Sequence, residues 1–190
     1  LTIKINGQND APIAVDDVTG SDFEGLVGYY DMSSGQGVSS QVSSIHAAGL
    51  TDVQMFTLNE QELNNIDILY VQNPYGNPSE YLSQMSAIES AVNNGMTLII
   101  HDRALNNVDA LLPGDTELGI HYLGGDTRDI EIINDGLEEG VGGSIDDTSL
   151  DQGSHSNHGY IDVESLPEGA EVLTTNRNPS QVVTFAYDYG

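Results

Sequence analysis

Three stretches of this chain carry polar side chains at spacings that could do chemistry. His101-Asp102-Arg103 directly follows the apolar run 96–100 (MTLII). An Asp carboxylate exposed there could hold a metal ion while the Arg fork grips a ligand carboxylate. An internal Asp–Arg pair fastening the strand end is the plainer alternative. The densest polar loop joins Asp146, Asp147 and Asp151 to 152–160 (QGSHSNHGY). Its Ser154, His155, Ser156, Asn157 and His158 gather oxygens and imidazoles in one Gly-flanked segment, which suits a recognition loop or a Ca²⁺ loop. An empty, solvated loop stands equal to it. His155 and His158 are spaced for Zn²⁺, but no convincing third ligand accompanies them. In the third stretch, 31–37 (DMSSGQG), Asp31, Ser33 and Ser34 precede a helix whose amides can receive an anion. With no Lys or Arg beside it, a phosphate would be poorly held; a single carboxylate bridged by Ca²⁺ fits better. A simple N-cap and turn would use the same residues.

Much chemistry is excluded outright. The chain has no Cys, so thiol catalysis and thiolate metal sites are absent. There is no G-x-S-x-G elbow, phosphate loop, H-E-x-x-H, dinucleotide fingerprint or EF-hand. Segments 124–132 (GGDTRDIEI, with Asp126) and 142–150 (GGSIDDTSL) only echo a glycine-rich Ca²⁺ repeat. Thirty acidic residues against four basic ones give a formal charge of −26 over 190 residues. Nucleic acid and anionic lipid are thereby poor partners. No apolar run approaches the roughly 18 residues that a membrane helix needs. Such self-repulsion must be screened by salt or neutralised by cations, and oxygen-ligated Ca²⁺ is the natural counter-charge. A merely solvated acidic surface is equally compatible with the composition.

These residues need elements to position them. Short apolar runs at 26–30, 53–57, 66–71 and 96–100 read as strands. Between the first two, Val38, Val42 and Ile45 form a helical stripe closed by Gly49. Asn59 followed by Glu62 resembles a capping box, and 79–94 predicts one helix with Tyr81, Met85, Ile88 and Val92 on a face. This alternation predicts an α/β fold: a flavodoxin-like parallel core with helices on both faces. Ligands of such sheets gather beyond the strands' carboxyl ends, an edge that here carries Asp31, Asn73, Tyr75, His101, Asp102 and Arg103. Tyr75, Tyr30 and Tyr122 could wall a pocket there. The second half reads as irregular, β-containing and Ca²⁺-rich, with strands at 130–133 and 160–163 and a hairpin of 171–175 with 182–187. Residues 1–6 alternate as a strand, followed by a linker with Asp10, Asp16 and Asp17. The expected organisation is therefore 1–20 as the end of a preceding domain and 21–190 as the ligand-binding domain. The expected whole is a longer chain, with a final strand missing beyond Gly190.

Residues 1–17 (LTIKINGQNDAPIAVDD) resemble the end of a VCBS-type bacterial Ig-like repeat, a module of giant secreted RTX adhesins. The resemblance implies Ca²⁺ at the junction, which suits Asp10, Asp16 and Asp17 as ligands. The remainder is similar to the class I glutamine-amidotransferase-like fold, through IDILYVQNP, NNGMTLIIHDRALNNVDALLPG and LPEGAEVLTTNRNPSQVVTFAYDYG. That family's nucleophilic Cys is missing, and His101-Asp102 stands at the comparable strand end, so its activity does not carry over. By size, acidity and the adjoining repeat, the chain resembles the Ca²⁺-dependent peptide-binding domain of RTX adhesins. The resemblance implies a monomeric, non-enzymatic module on the surface of a Gram-negative bacterium, beside neighbouring adhesin domains. Its partner would be the C-terminal peptide of a host surface protein. Asp31, Ser33, Ser34, Asn73, Tyr75, Arg103 and Ser154–Asn157 would then contact ligand; Asp102, Asp126, Asp146, Asp147 and Asp151 would hold Ca²⁺. The rivals are a Ca²⁺-dependent lectin, which the absence of Trp disfavours, a hydrolase using His101 or Asp102, and a spacer without ligand.

Overall fold

The computed structural model describes residues 2–7, 25–32, 38–73, 78–103, 105, 108–114, 116–127, 129–133, 146–151 and 157–190. Its first half is a parallel α/β unit. Strands β2 (Leu26–Asp31), β3 (Thr51–Gln54), β4 (Ile68–Asn73) and β5 (Thr97–Asp102) lie in the order β3-β2-β4-β5. Helices α1 (Val38–Ala47), α2 (Glu60–Leu63), α3 (Ser79–Ser83) and α4 (Met85–Asn93) make the crossovers. The fold class is α/β, as the alternation of elements predicts. From β2 the chain crosses outward to β3, and from β4 it crosses the opposite way to β5. The switch in strand order therefore falls between β2 and β4, where a crevice opens beyond the carboxyl ends.

Local sequence explains most of these elements. Asn59 caps α2 by accepting from the Glu62 amide at 3.0 Å. Helix α1 ends at Gly49, whose φ of 74° lets the Leu50 amide reach the Ile45 carbonyl and its own amide reach His46. The helix expected over 79–94 is two pieces broken at Gln84, which has φ −106° and ψ 7°. Tyr81, just before the break, is fully buried and its hydroxyl donates to the Leu111 carbonyl at 2.9 Å. The strand expected at 53–57 lies earlier, at Thr51–Gln54, because Met55 turns inward (7 % exposed) while Phe56 points to solvent (74 %).

Period-two alternation sorts the sheet's two faces. Leu69 and Val71 of β4 join Leu98 and Ile100 of β5 in the main core, under Tyr81, Ile88 and Val92. Val27 and Tyr29 of β2, with Ile68 and Tyr70 of β4, meet Val42 and Ile45 of α1 on the other face.

The second half is antiparallel: β6 (Ile120–Thr127), β7 (Ile130–Ile132), β8 (Asn157–Asp162), β9 (Glu171–Asn176) and β10 (Gln181–Tyr189), with the short α5 (Asp147–Leu150). The hairpin β9–β10 forms as its alternation predicts. The two halves are joined by β1 (Thr2–Gly7), which pairs parallel with β10 and antiparallel with β5. This corrects the expectation that the first residues belong to a preceding unit. An alternating strand needs two partners, and β5 and β10 each offer an edge to it.

Candidate functional site

At the switch point, four polar side chains collect on the α1 side of the sheet. Alternation from Val27 and Tyr29 brings Asp31 to that face, and from Ile68 and Tyr70 it brings Gln72. Register sets Asp31 beside Gln72, and Gln72 beside His101. From α1, the fully buried Gln41 reaches over the gap between β2 and β4. Its Nε2 donates to the carbonyl oxygens of Tyr30 and Tyr70 at 3.3 and 3.4 Å. Those two contacts fix the amide's orientation, so Oε1 is the atom left over. The buried Oε1 atoms of both Gln41 and Gln72 lack a hydrogen-bond donor. Each such oxygen costs roughly 1–3 kcal/mol when unsatisfied. The row is therefore rich in acceptors and poor in donors.

His101 closes this row. Its Nδ1 lies 3.1 Å from the Tyr70 hydroxyl, and the two rings meet edge-on at 5.2 Å. Burial lowers its pKa to about 4. The imidazole is thus neutral at physiological pH and held rigid by Tyr70.

Asp102 does not stand exposed as a metal ligand. It follows Leu98 and Ile100 on the core face and is 1 % exposed. Its Oδ1 accepts from the Leu105 amide at 3.2 Å, holding a turn in which buried Leu105 adopts φ 53°. Arg103 is exposed, and its Nε donates to Nε2 of His158 at 3.1 Å. That nitrogen must then be the acceptor, leaving the ring proton on Nδ1. The contact brings the end of β5 to the start of β8, so the first polar stretch and the last residues of the polar loop meet.

The acidic loop expected to hold Ca²⁺ is used differently where it is described. Asp147 accepts from the Ile132 amide at 2.7 Å and Asp151 from the Ile130 amide at 2.8 Å. Both carboxylates stitch α5 to the short strand β7, which satisfies its backbone donors; Asp146 is exposed. Among the described residues, no three His, Asp or Glu side chains converge as a metal site. Tyr30 is buried 6.5 Å from Tyr81 and belongs to the core rather than to a pocket wall, whereas Tyr122 is exposed on β6. Asn73, Asp126 and Asn157 are placed by backbone alone, in β4, β6 and β8. Ser33, Ser34, Tyr75, Ser154, His155, Ser156, Asp10, Asp16 and Asp17 lie outside the described residues.

Sequence reasoning passed over Gln41 and Gln72, although both left a signal. Gln41 interrupts the apolar stripe of α1 four residues before Ile45, and Gln72 ends the buried run of β4. A polar residue on an otherwise apolar stripe asks for a partner.

No protein-family profile matches this chain, and no curated protein matches it. Among solved structures it is similar to a GMP synthase subunit from Thermoplasma acidophilum. The TM-score is 0.49 and the identity 11 %, over 86 % of this chain and 82 % of that one. At that level no residue role passes from one chain to the other.

Proposed function

We propose that this chain is a Ca²⁺-dependent binding module that captures the free C-terminal carboxylate of a peptide, and that it does no catalysis. The observation that carries the reading is the acceptor-rich row at the switch point, set in a chain of formal charge −26. A peptide carboxylate would be repelled there unless a cation intervened. A bound Ca²⁺ reverses the local sign and makes that carboxylate the preferred anchor. Arg103, tied to His158 at the same edge, offers a fork for the peptide's remaining acceptors. The extracellular adhesin setting and the host-surface partner rest on the likeness of residues 1–17 to the end of a VCBS-type repeat.

Immobilised peptides with free-acid or amidated C-termini, probed with and without EDTA, test the proposal. Free-acid peptides should bind only with Ca²⁺, and amidation should weaken them at least tenfold. Equal binding of both forms, or binding that survives EDTA, refutes the mechanism. Ca²⁺-dependent binding of a saccharide in place of peptides would transfer the site to a lectin. Turnover abolished by His101→Ala would transfer it to an enzyme.

A further inference from the structure

The two orphaned amide oxygens ask for a donor or a cation, and their surroundings select between these. Gln41 is fully buried and its Nε2 is committed to the carbonyls of β2 and β4, so its Oε1 cannot be exchanged for the nitrogen by a flip. The Oε1 of Gln72 is likewise buried without a donor, one strand away on the same face. Asp31, beside Gln72 in register, adds a negative charge. Neutral His101 adds none in opposition. Two amide oxygens and a carboxylate at one strand junction form a hard oxygen donor set.

We infer that Gln41, Gln72 and Asp31 form an oxygen-lined Ca²⁺ site at the β2–β4 switch point, under the first turns of α1. Amide and carboxylate oxygens suit the flexible coordination of Ca²⁺ better than the strict octahedron of Mg²⁺. A net charge of −26 favours a divalent ion over Na⁺. The inference deepens the proposed function by placing its cation, resting on that reading for the choice of ion, and it can fail while peptide capture survives.

Tb³⁺ is the probe, because Tyr29 and Tyr70 share the site's face and can sensitise its emission. The intact chain should give a saturable signal that Ca²⁺ displaces well ahead of Mg²⁺ or Na⁺. Gln72→Met, matched in size, should weaken Tb³⁺ and Ca²⁺ at least tenfold with an unchanged circular dichroism spectrum. Gln72→Glu should tighten both at least threefold. Gln41 substitutions also remove contacts to the strand carbonyls, so the Gln72 pair carries the test. Wild-type affinity in both variants overturns the site, the oxygens then holding water only. Displacement by Na⁺ as effective as by Ca²⁺ overturns the assignment of the ion. If the Gln72 variants bind ions normally while peptides still require Ca²⁺, this inference falls and the proposed function stands. If Gln72→Met loses the ion but binds peptide fully, the site stands and the Ca²⁺-bridged reading falls.

Discussion

Gly159→Ala should be the most informative single-atom change in the sheet. Gly159 lies on β8 opposite Tyr122 of β6. A Cβ there would meet the His121 carbonyl oxygen at 2.2 Å and the Leu105 Cδ1 at 2.3 Å. Ordinary carbon contacts need about 3.5 Å, so each neighbour would have to retreat by about 1 Å. The His121 carbonyl belongs to the β6 backbone and cannot rotate away as a side-chain tip would. Overpacking of this kind costs roughly 1–3 kcal/mol, and the upper figure applies where backbone must move. At about 2–4 °C per kcal/mol for a chain of this size, Tm should fall by roughly 6–12 °C. Gly169→Ala is the control. Its φ of 79° disfavours a side chain, but nothing lies within 4 Å of the added methyl. Only the left-handed backbone cost of roughly 1–2 kcal/mol should appear. Because Leu105 is tied to Asp102 at the end of β5, Gly159→Ala should also weaken ligand capture, which Gly169→Ala should not. Thermal melts of the two variants decide the matter. Equal losses in Tm would refute the close approach of β6, β8 and Leu105.

His101 gives a pH dependence with a defined sign. Its folded pKa of about 4 lies below its ordinary 6.5, so between these values only the unfolded chain takes up the proton. Its contribution is complete above pH 6.5 and lost as pH falls towards 4, by up to roughly 3 kcal/mol. Urea unfolding of wild type and His101→Gln at pH 7 and 4.5 should show the larger acid loss in wild type; parallel losses would contradict the burial. Removing residues 1–7 should destabilise the rest by several kcal/mol, since β1 registers six residues with β10 and four with β5. A peptide of sequence LTIKING added in trans should restore part of the loss, and an unchanged urea midpoint in the shortened chain would return β1 to a separate unit.

What the sequence made legible was local. The caps at Asn59 and Gly49 follow from side chain and φ, and the parallel order follows from alternating strands and helices. The edge bearing His101 could be named for the same reason. What escaped depends on pairing at a distance. The alternation of LTIKIN announces a strand, but nothing within six residues says that its neighbours are β5 and β10. Asp102 was readable and misread: Leu98 and Ile100 set an inward phase that Asp102 must share. Gln41 and Gln72 meet only when register places β2 against β4 beneath α1. Asp147 and Asp151 carried a charge pattern that suits Ca²⁺ equally well, and only the unpaired amides of β7 decide their use.

The seam between β1 and β10 also has a mechanical meaning. The strands run parallel, with Thr2 beside Thr184 and Gly7 beside Tyr189. A force applied between Thr2 and Tyr189 pulls one strand from its start and the other from its finish, at opposite ends of their common seam. Every hydrogen bond along it is then sheared together instead of being opened one after another like a zip. The antiparallel hairpin β9–β10, pulled apart from its open end, would peel bond by bond. The fold thus places its load-resistant joint between the first strand of the sheet and the last, where tension along the chain would be felt first.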